Sequence, residues 1–129
     1  MVAQYTAAAL VAENRLRAFP ASVESIPTSA GMEDHVSMGA HAARKAAMVL
    51  RNSQQVIAIE LLSAAQAVDL GAGGLGIGTS VAYAAVREIA PRLEEDRVIA
   101  TDFERALELV KGGVLTRRIN DALTSVRPA

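Results

Sequence analysis

Cysteine and tryptophan are absent from the 129 residues, aromatics make up only 3%, and neither sign of charge dominates: 13 Lys+Arg stand against 14 Asp+Glu, a formal net charge of −1. Without a thiol there are no disulfide staples, no thiolate metal ligands and no cysteine nucleophile, so stability has to come from packing. With so few rings and no basic run, the stacking platforms and electrostatic footprint of a nucleic-acid binder are missing, and no nucleic-acid partner is expected. The longest nearly uncharged stretch, residues 56–79, is interrupted by Glu60, Asp69 and five glycines, and so reads poorly as a bilayer span. The opening Met-Val-Ala-Gln-Tyr-Thr has no cationic stretch ahead of an apolar core, which predicts a cytoplasmic protein.

What is present is apolar and rich in alanine. Hydrophobic residues are 51% of the chain and the mean hydropathy is +0.24. A chain of this length is expected to form one domain, residues 1–129, yet this is more apolar surface than one small globule needs. Part of that surface should face another chain.

The residue pattern is helical throughout, with no useful run of period-two alternation, so the expected fold is all-α: an elongated bundle around one long helix. Residues 3–17 combine Ala, Leu, Val, Gln, Glu and Arg without Gly or Pro, which predicts a first helix. It lacks an N-cap residue and looks like the continuation of a longer one. Phe19-Pro20 should end it, and Pro27 with the surrounding Ser, Thr and Gly predicts a loop over 19–35. A structureless loop of that length is more often functional than decorative.

From about 36 to 70 there is no Pro and only Gly39, which predicts a single helix of roughly 50 Å. A globule of this length has a radius of gyration near ~14 Å, so such a helix predicts packing against further chain and hence oligomerisation. Along its first half Val36, Ala40, Ala43, Ala47 and Leu50 are expected on the buried face, with Ser37, His41, Arg44, Arg51 and Gln55 opposite. Between 56 and 70 only Glu60, Ser63, Gln66 and Asp69 are polar, which predicts burial nearly all round and a partner for Glu60. A glycine run at 71–78 should stop the helix. Shorter helices are expected at 79–90, 102–111 and 114–124, the second opened by a capping box at Thr101-Asp102-Phe103-Glu104 and closed at Gly112-Gly113.

Two motifs reduce to structural readings. Gly71, Gly73 and Gly76 spell G-x-G-x-x-G, but a dinucleotide cradle needs a preceding strand, and here a long helix precedes it; an inter-helix loop is expected. Glu33-Asp34-His35 with His41 has the wrong spacing for a paired-histidine metal site, so no metal is expected, and Asp34 or Ser37 should cap the long helix. Glu33 itself falls where loop meets helix, a place that favours an ionised carboxylate. It can hold a substrate cation, or it can be one more solvated or capping carboxylate.

The stretch Ser25-Ile26-Pro27-Thr28-Ser29-Ala30-Gly31-Met32-Glu33-Asp34-His35-Val36-Ser37-Met38-Gly39 closely resembles the E-D-H-V-S-M-G segment of histidine ammonia-lyases, within the aromatic amino acid lyase family. The likeness extends through residues 3–10, 20–23, 43–44, 58–62 and 93–97, essentially the whole chain. It implies a mostly helical tetrameric enzyme that eliminates ammonia from L-histidine to give urocanate. It also implies an electrophilic methylidene-imidazolone (MIO) made from an internal Ala-Ser-Gly, far upstream of the segment seen here. This sequence contains no Ala-Ser-Gly, since Ala21-Ser22 is followed by Val23. The resemblance is therefore to the C-terminal portion, with the electrophile expected on a partner chain or a missing N-terminal part, and no cofactor in this one.

By resemblance Glu33 falls on the family's active-site glutamate, a catalytic and substrate-binding position, with Met32 beside it on the substrate side. The family commonly has Gln and Asn where Met32 and Gly31 stand. The implied function is that of a C-terminal lyase subunit or fragment, inactive alone, acting on a small amino acid within a homo- or hetero-oligomer whose active sites are shared between subunits. The alternative is a non-catalytic helical oligomerisation module that keeps the bundle without turnover.

Overall fold

The computed structural model describes residues 1–71 and 73–126; of the expected glycine loop, Ala72 lies outside the described residues. Five α-helices account for most of them: α1 (Val2–Arg17), α2 (Gly39–Asp69), α3 (Ile77–Ile89), α4 (Ala100–Lys111) and α5 (Val114–Ser125). Among the described residues there is no strand, only an isolated antiparallel bridge between Thr28 and Glu33. The fold is all-α, as the sequence pattern predicts. None of the helices is long and apolar enough to cross a membrane.

The chain divides into two compact units, Met1–Ser53 and Gln54–Ala129. In the first, α1 is built from good helix formers and carries Arg15 and Arg17 in its last turn, where cations complement the helix dipole. It meets the first half of α2 through polar groups. Asn52 Nδ2 donates to Glu13 Oε2 at 3.1 Å and Asn14 Nδ2 donates to Ser53 Oγ at 3.4 Å, while within α1 Arg17 Nε donates to Glu13 Oε1 at 2.9 Å. Asn52 is buried by this contact. The bonds from Arg17 and then Asn52 hold the Glu13 carboxyl below its ordinary value of 4.5.

That contact corrects the expected face of α2. Ala40, Ala43, Ala47 and Leu50 are exposed, while Lys45, Val49, Asn52 and Ser53 turn inward. The partner explains the rotation: α1 offers Glu13 Oε2 and Asn14 Nδ2, and these pair with the Asn52 amide and the Ser53 hydroxyl, not with alanine methyls. The helix also starts later than expected, at Gly39. Of the two expected caps Ser37 acts, its Oγ accepting from Gly39 N at 3.3 Å; Asp34 makes no hydrogen bond among the described residues.

The core of the second unit is mostly alanine: Ala58, Ala65, Ala85, Ala90 and Ala106 are buried together with Ile59 and Val86. Small residues allow close helix approach; a Cβ on Gly78 of α3 would lie 3.4 Å from Ile119 Cγ2 of α5. Glu60 is exposed, without a partner among the described residues, so the expected all-round burial of 56–70 is not what this chain forms by itself. The other polar residues there are used. Gln66 pairs both amide atoms with the Leu93 backbone, donating to its oxygen at 3.0 Å and accepting from its nitrogen at 2.9 Å. Asp69 accepts from Tyr83 Oη and from Arg87, each at 2.5 Å. Tyr83, then Arg87, keep the Asp69 carboxyl below its ordinary 3.8, and Asp69 in turn pushes the Tyr83 phenol up.

The capping box is a second correction. Helix α4 begins at Ala100 with no side-chain cap, and Asp102 is buried against Arg97 at 2.5 Å. The helix starts one residue before Thr101, so Thr101 and Glu104 of the expected box lie inside it and not at its cap. Gly112 and Gly113 do separate α4 from α5, Gly113 in the left-handed region at φ +64°.

Candidate functional site

Residues 19–38 connect α1 to α2 as an ordered loop, not a structureless one. Pro20 (φ −61°, ψ 128°) leads into a short 3₁₀ turn, Ala21–Glu24, and a second follows at Ser29–Gly31. Lys45 Nζ, on α2, donates to the Phe19 carbonyl and ties the loop's beginning to the helix.

Two serine and threonine clamps close the rest. Ser25 Oγ accepts from Val36 N at 2.9 Å and donates to Val36 O at 3.1 Å, so one side chain satisfies both backbone groups of a residue eleven positions on. Inside that closure Thr28 and Glu33 pair: Thr28 N donates to Glu33 O at 2.8 Å and Glu33 N donates to Thr28 O at 3.3 Å. The six-residue turn this demands is sharp. Ser29, Ala30 and Gly31 all take positive φ (54°, 54° and 87°), a cluster that costs energy at Ser29 and Ala30 and little at Gly31. Strain of this kind persists only where the surroundings enforce it, and the paired clamps do so.

Glu33 stands at the end of this turn, exposed, with Oε2 accepting from Thr28 Oγ1 at 2.9 Å. It lies six residues before the start of α2, so the expected position against a helix N-terminus is corrected: a threonine, not the helix, orients the carboxylate. Met32 is 88% exposed. The loop and the amino end of α2 border a cleft of about 600 Å³, lined by residues 20–22, residues 35–39 and Ala42. His35 is on its wall; Glu33 and Met32 are not among its lining residues. Among the described residues no group of three His, Asp or Glu side chains could hold a metal ion.

Ser25 and Thr28 are the residues that composition alone passes over, counting them only as breakers of regularity. A hydroxyl inside a proline-bounded loop that must close on itself is the signal that points to them.

The family model described as "Aromatic amino acid lyase" matches residues 1–88. Histidine ammonia-lyase of Gloeobacter violaceus is 54% identical over 123 residues, 95% of this chain and 24% of that protein. That of Deinococcus radiodurans is 51% identical over 130 residues, covering 100% and 24%. The crystal structure of histidine ammonia-lyase from Trypanosoma cruzi superposes with a TM-score of 0.88 at 44% identity, over 95% of this chain and 24% of that one. Tyrosine aminomutase from Streptomyces globisporus gives 0.87 at 43% identity, over 93% and 23%. The chain thus spans about a quarter of the length of the relatives it matches. A family model that matches most of the chain, joined to this identity and to a shared helical fold, identifies the chain as a member of the aromatic amino acid lyase family.

Proposed function

We propose that this chain is the C-terminal part of a histidine ammonia-lyase-like enzyme converting L-histidine to urocanate and ammonia, with residues 1–129 serving as one helical part of it. The observation that carries the reading is the pinned loop. The chain spends two side-chain clamps and a strained turn on presenting a carboxylate, within a segment shared with proteins named histidine ammonia-lyase.

Elimination of ammonia needs an electrophile to activate the substrate, a base for the β-proton, and groups that hold the amino acid. The family's MIO supplies the electrophile. The residues here do not fit the making of that group: Ser22 follows Ala21 but precedes Val23, in the 3₁₀ turn Ala21–Glu24. It has to come from a partner chain or a further part of the enzyme. The role left to this chain is binding: Glu33 pairs with the imidazole or ammonium of the substrate, and Met32 borders it. Met32 and Gly31 offer the substrate no polar side chain.

An incomplete site also accounts for the uncovered apolar surface. Leu50, Ile57 and Met48 of α2 are exposed, as are Ala40, Ala43 and Ala47. We assign this surface to contact with the rest of the lyase assembly in the cytoplasm, because an apolar face of this kind is poorly tolerated in water. The test is co-expression with an Ala-Ser-Gly-bearing chain from a neighbouring reading frame, followed by urocanate absorbance. Turnover by the pair supports the reading; an assembled but inert pair favours the oligomerisation module.

A further inference from the structure

We propose that Thr28 is the positioning residue of the Glu33 carboxylate, acting through its hydroxyl and not only through the backbone of the turn. The inference rests on the reading of Glu33 as a substrate-binding group and assigns the residue that makes Glu33 selective in direction.

Thr28 is joined to Glu33 in two separate ways. The backbone pair, at 2.8 and 3.3 Å, fixes where the two Cα atoms sit. The side-chain bond, Oγ1 to Oε2 at 2.9 Å, fixes where the carboxylate points. An exposed glutamate otherwise samples many rotamers and loses that freedom when it binds a cation. A hydroxyl that donates to one carboxylate oxygen removes part of that loss in advance and uses only one of the two oxygens. Glu33 is exposed and Oε1 has no hydrogen bond among the described residues, so one oxygen is held while the other is left for a ligand cation.

The strained turn belongs to the same device. Ser29 and Ala30 occupy the left-handed region although both carry a Cβ. A relaxed connection would not bring residues 28 and 33 face to face. The backbone pair alone would close the turn with any residue at 28, whereas the bond to Oε2 requires a hydroxyl.

Three variants separate these roles. Thr28→Val keeps the β-branched shape and the backbone bonds and removes the hydroxyl; Thr28→Ser keeps the hydroxyl; Glu33→Gln keeps the shape of Glu33 and removes its charge. In the full chain, three-bond NMR couplings across χ1 of Glu33 should report one rotamer in the parent and in Thr28→Ser, and averaged values in Thr28→Val, with amide protection of the turn retained. Averaged couplings in all three proteins, or a fixed rotamer in Thr28→Val, overturn the proposal. In the assembled lyase, Thr28→Val should lower kcat/KM roughly tenfold, mainly through KM, as expected for one lost bond to a charged group, and Thr28→Ser should restore it. A loss in Glu33→Gln without one in Thr28→Val overturns this inference alone. No loss in Glu33→Gln overturns the reading of Glu33 on which it stands.

Discussion

Ser25 and Val36 are joined by a single hydroxyl that both accepts from the Val36 nitrogen and donates to the Val36 oxygen, at 2.9 and 3.1 Å. This closure encloses the Thr28 and Glu33 turn and borders the cleft, in which Val36 is a lining residue. It makes the loop a built element, not a slack connection.

Replacing Ser25 by Ala leaves both backbone groups of Val36 without their partner. Each lost bond in such a half-buried place costs about 0.5–1.5 kcal/mol, so hydrogen exchange at the Val36 amide should quicken by roughly tenfold while α1 and the second unit are unaffected. Unchanged exchange at Val36 would show that the closure is held by something else.

Ala30 sits at φ 54°, ψ 34°. The left-handed region costs a residue with a Cβ about 1–2 kcal/mol, while glycine costs about 0.5–1 kcal/mol in unfolded-state entropy. Ala30→Gly should therefore stabilise the turn slightly, slowing exchange of the Thr28 and Glu33 amides by a few fold. Faster exchange would contradict the strain argument.

The helices were legible in the sequence because their ends are marked by residues with strong backbone preferences: Pro20 after α1, the glycine run after α2, Gly112 and Gly113 after α4. The packed faces were not. In an alanine-rich helix the contrast between faces is small, and the inward face of α2 was decided by the polar groups of α1, which no pattern within α2 reveals. The expected box at Thr101 and Glu104 misled for a related reason: the helix already begins at Ala100, ahead of Thr101, and Asp102 of that turn is taken by Arg97 in the preceding loop. For Glu33 the resemblance named the residue, and the Thr28 bond was not legible, because a contact between residues 28 and 33 depends on positive φ at three consecutive residues.

Gln66 offers a test of the second unit. Its amide is paired on both sides with the Leu93 backbone, so Gln66→Ala strands a donor and an acceptor. The expected loss is about 1–3 kcal/mol, read as a lower denaturant midpoint by circular dichroism. Gln66→Glu should cost as well, since a carboxylate can accept from Leu93 N but cannot donate to Leu93 O. Wild-type midpoints for both would mean that water replaces the pairing at no cost.

Acid stability should depend on Asp69. Its folded pKa is depressed, by Tyr83 first and Arg87 after it, so its contribution is present above the ordinary value of 3.8 and is lost as pH falls from there through the folded value. Tyr83, raised above its ordinary 10.0, contributes below that value and loses its contribution as pH rises through the folded one. Melting temperatures of Asp69→Asn should fall less steeply below pH 4 than those of the parent, and Tyr83→Phe should flatten the alkaline limb. Parallel curves for parent and variants would place the pH dependence elsewhere.

The most direct test is urocanate formation by the assembled lyase carrying Glu33→Ala. Loss of a charged group that holds the substrate predicts a fall in kcat/KM of about 10²–10³-fold, with the size of the assembly and its helical content unchanged. Parent-like turnover by this variant would contradict a substrate-binding role for Glu33, and dissociation of the assembly would make it a structural residue.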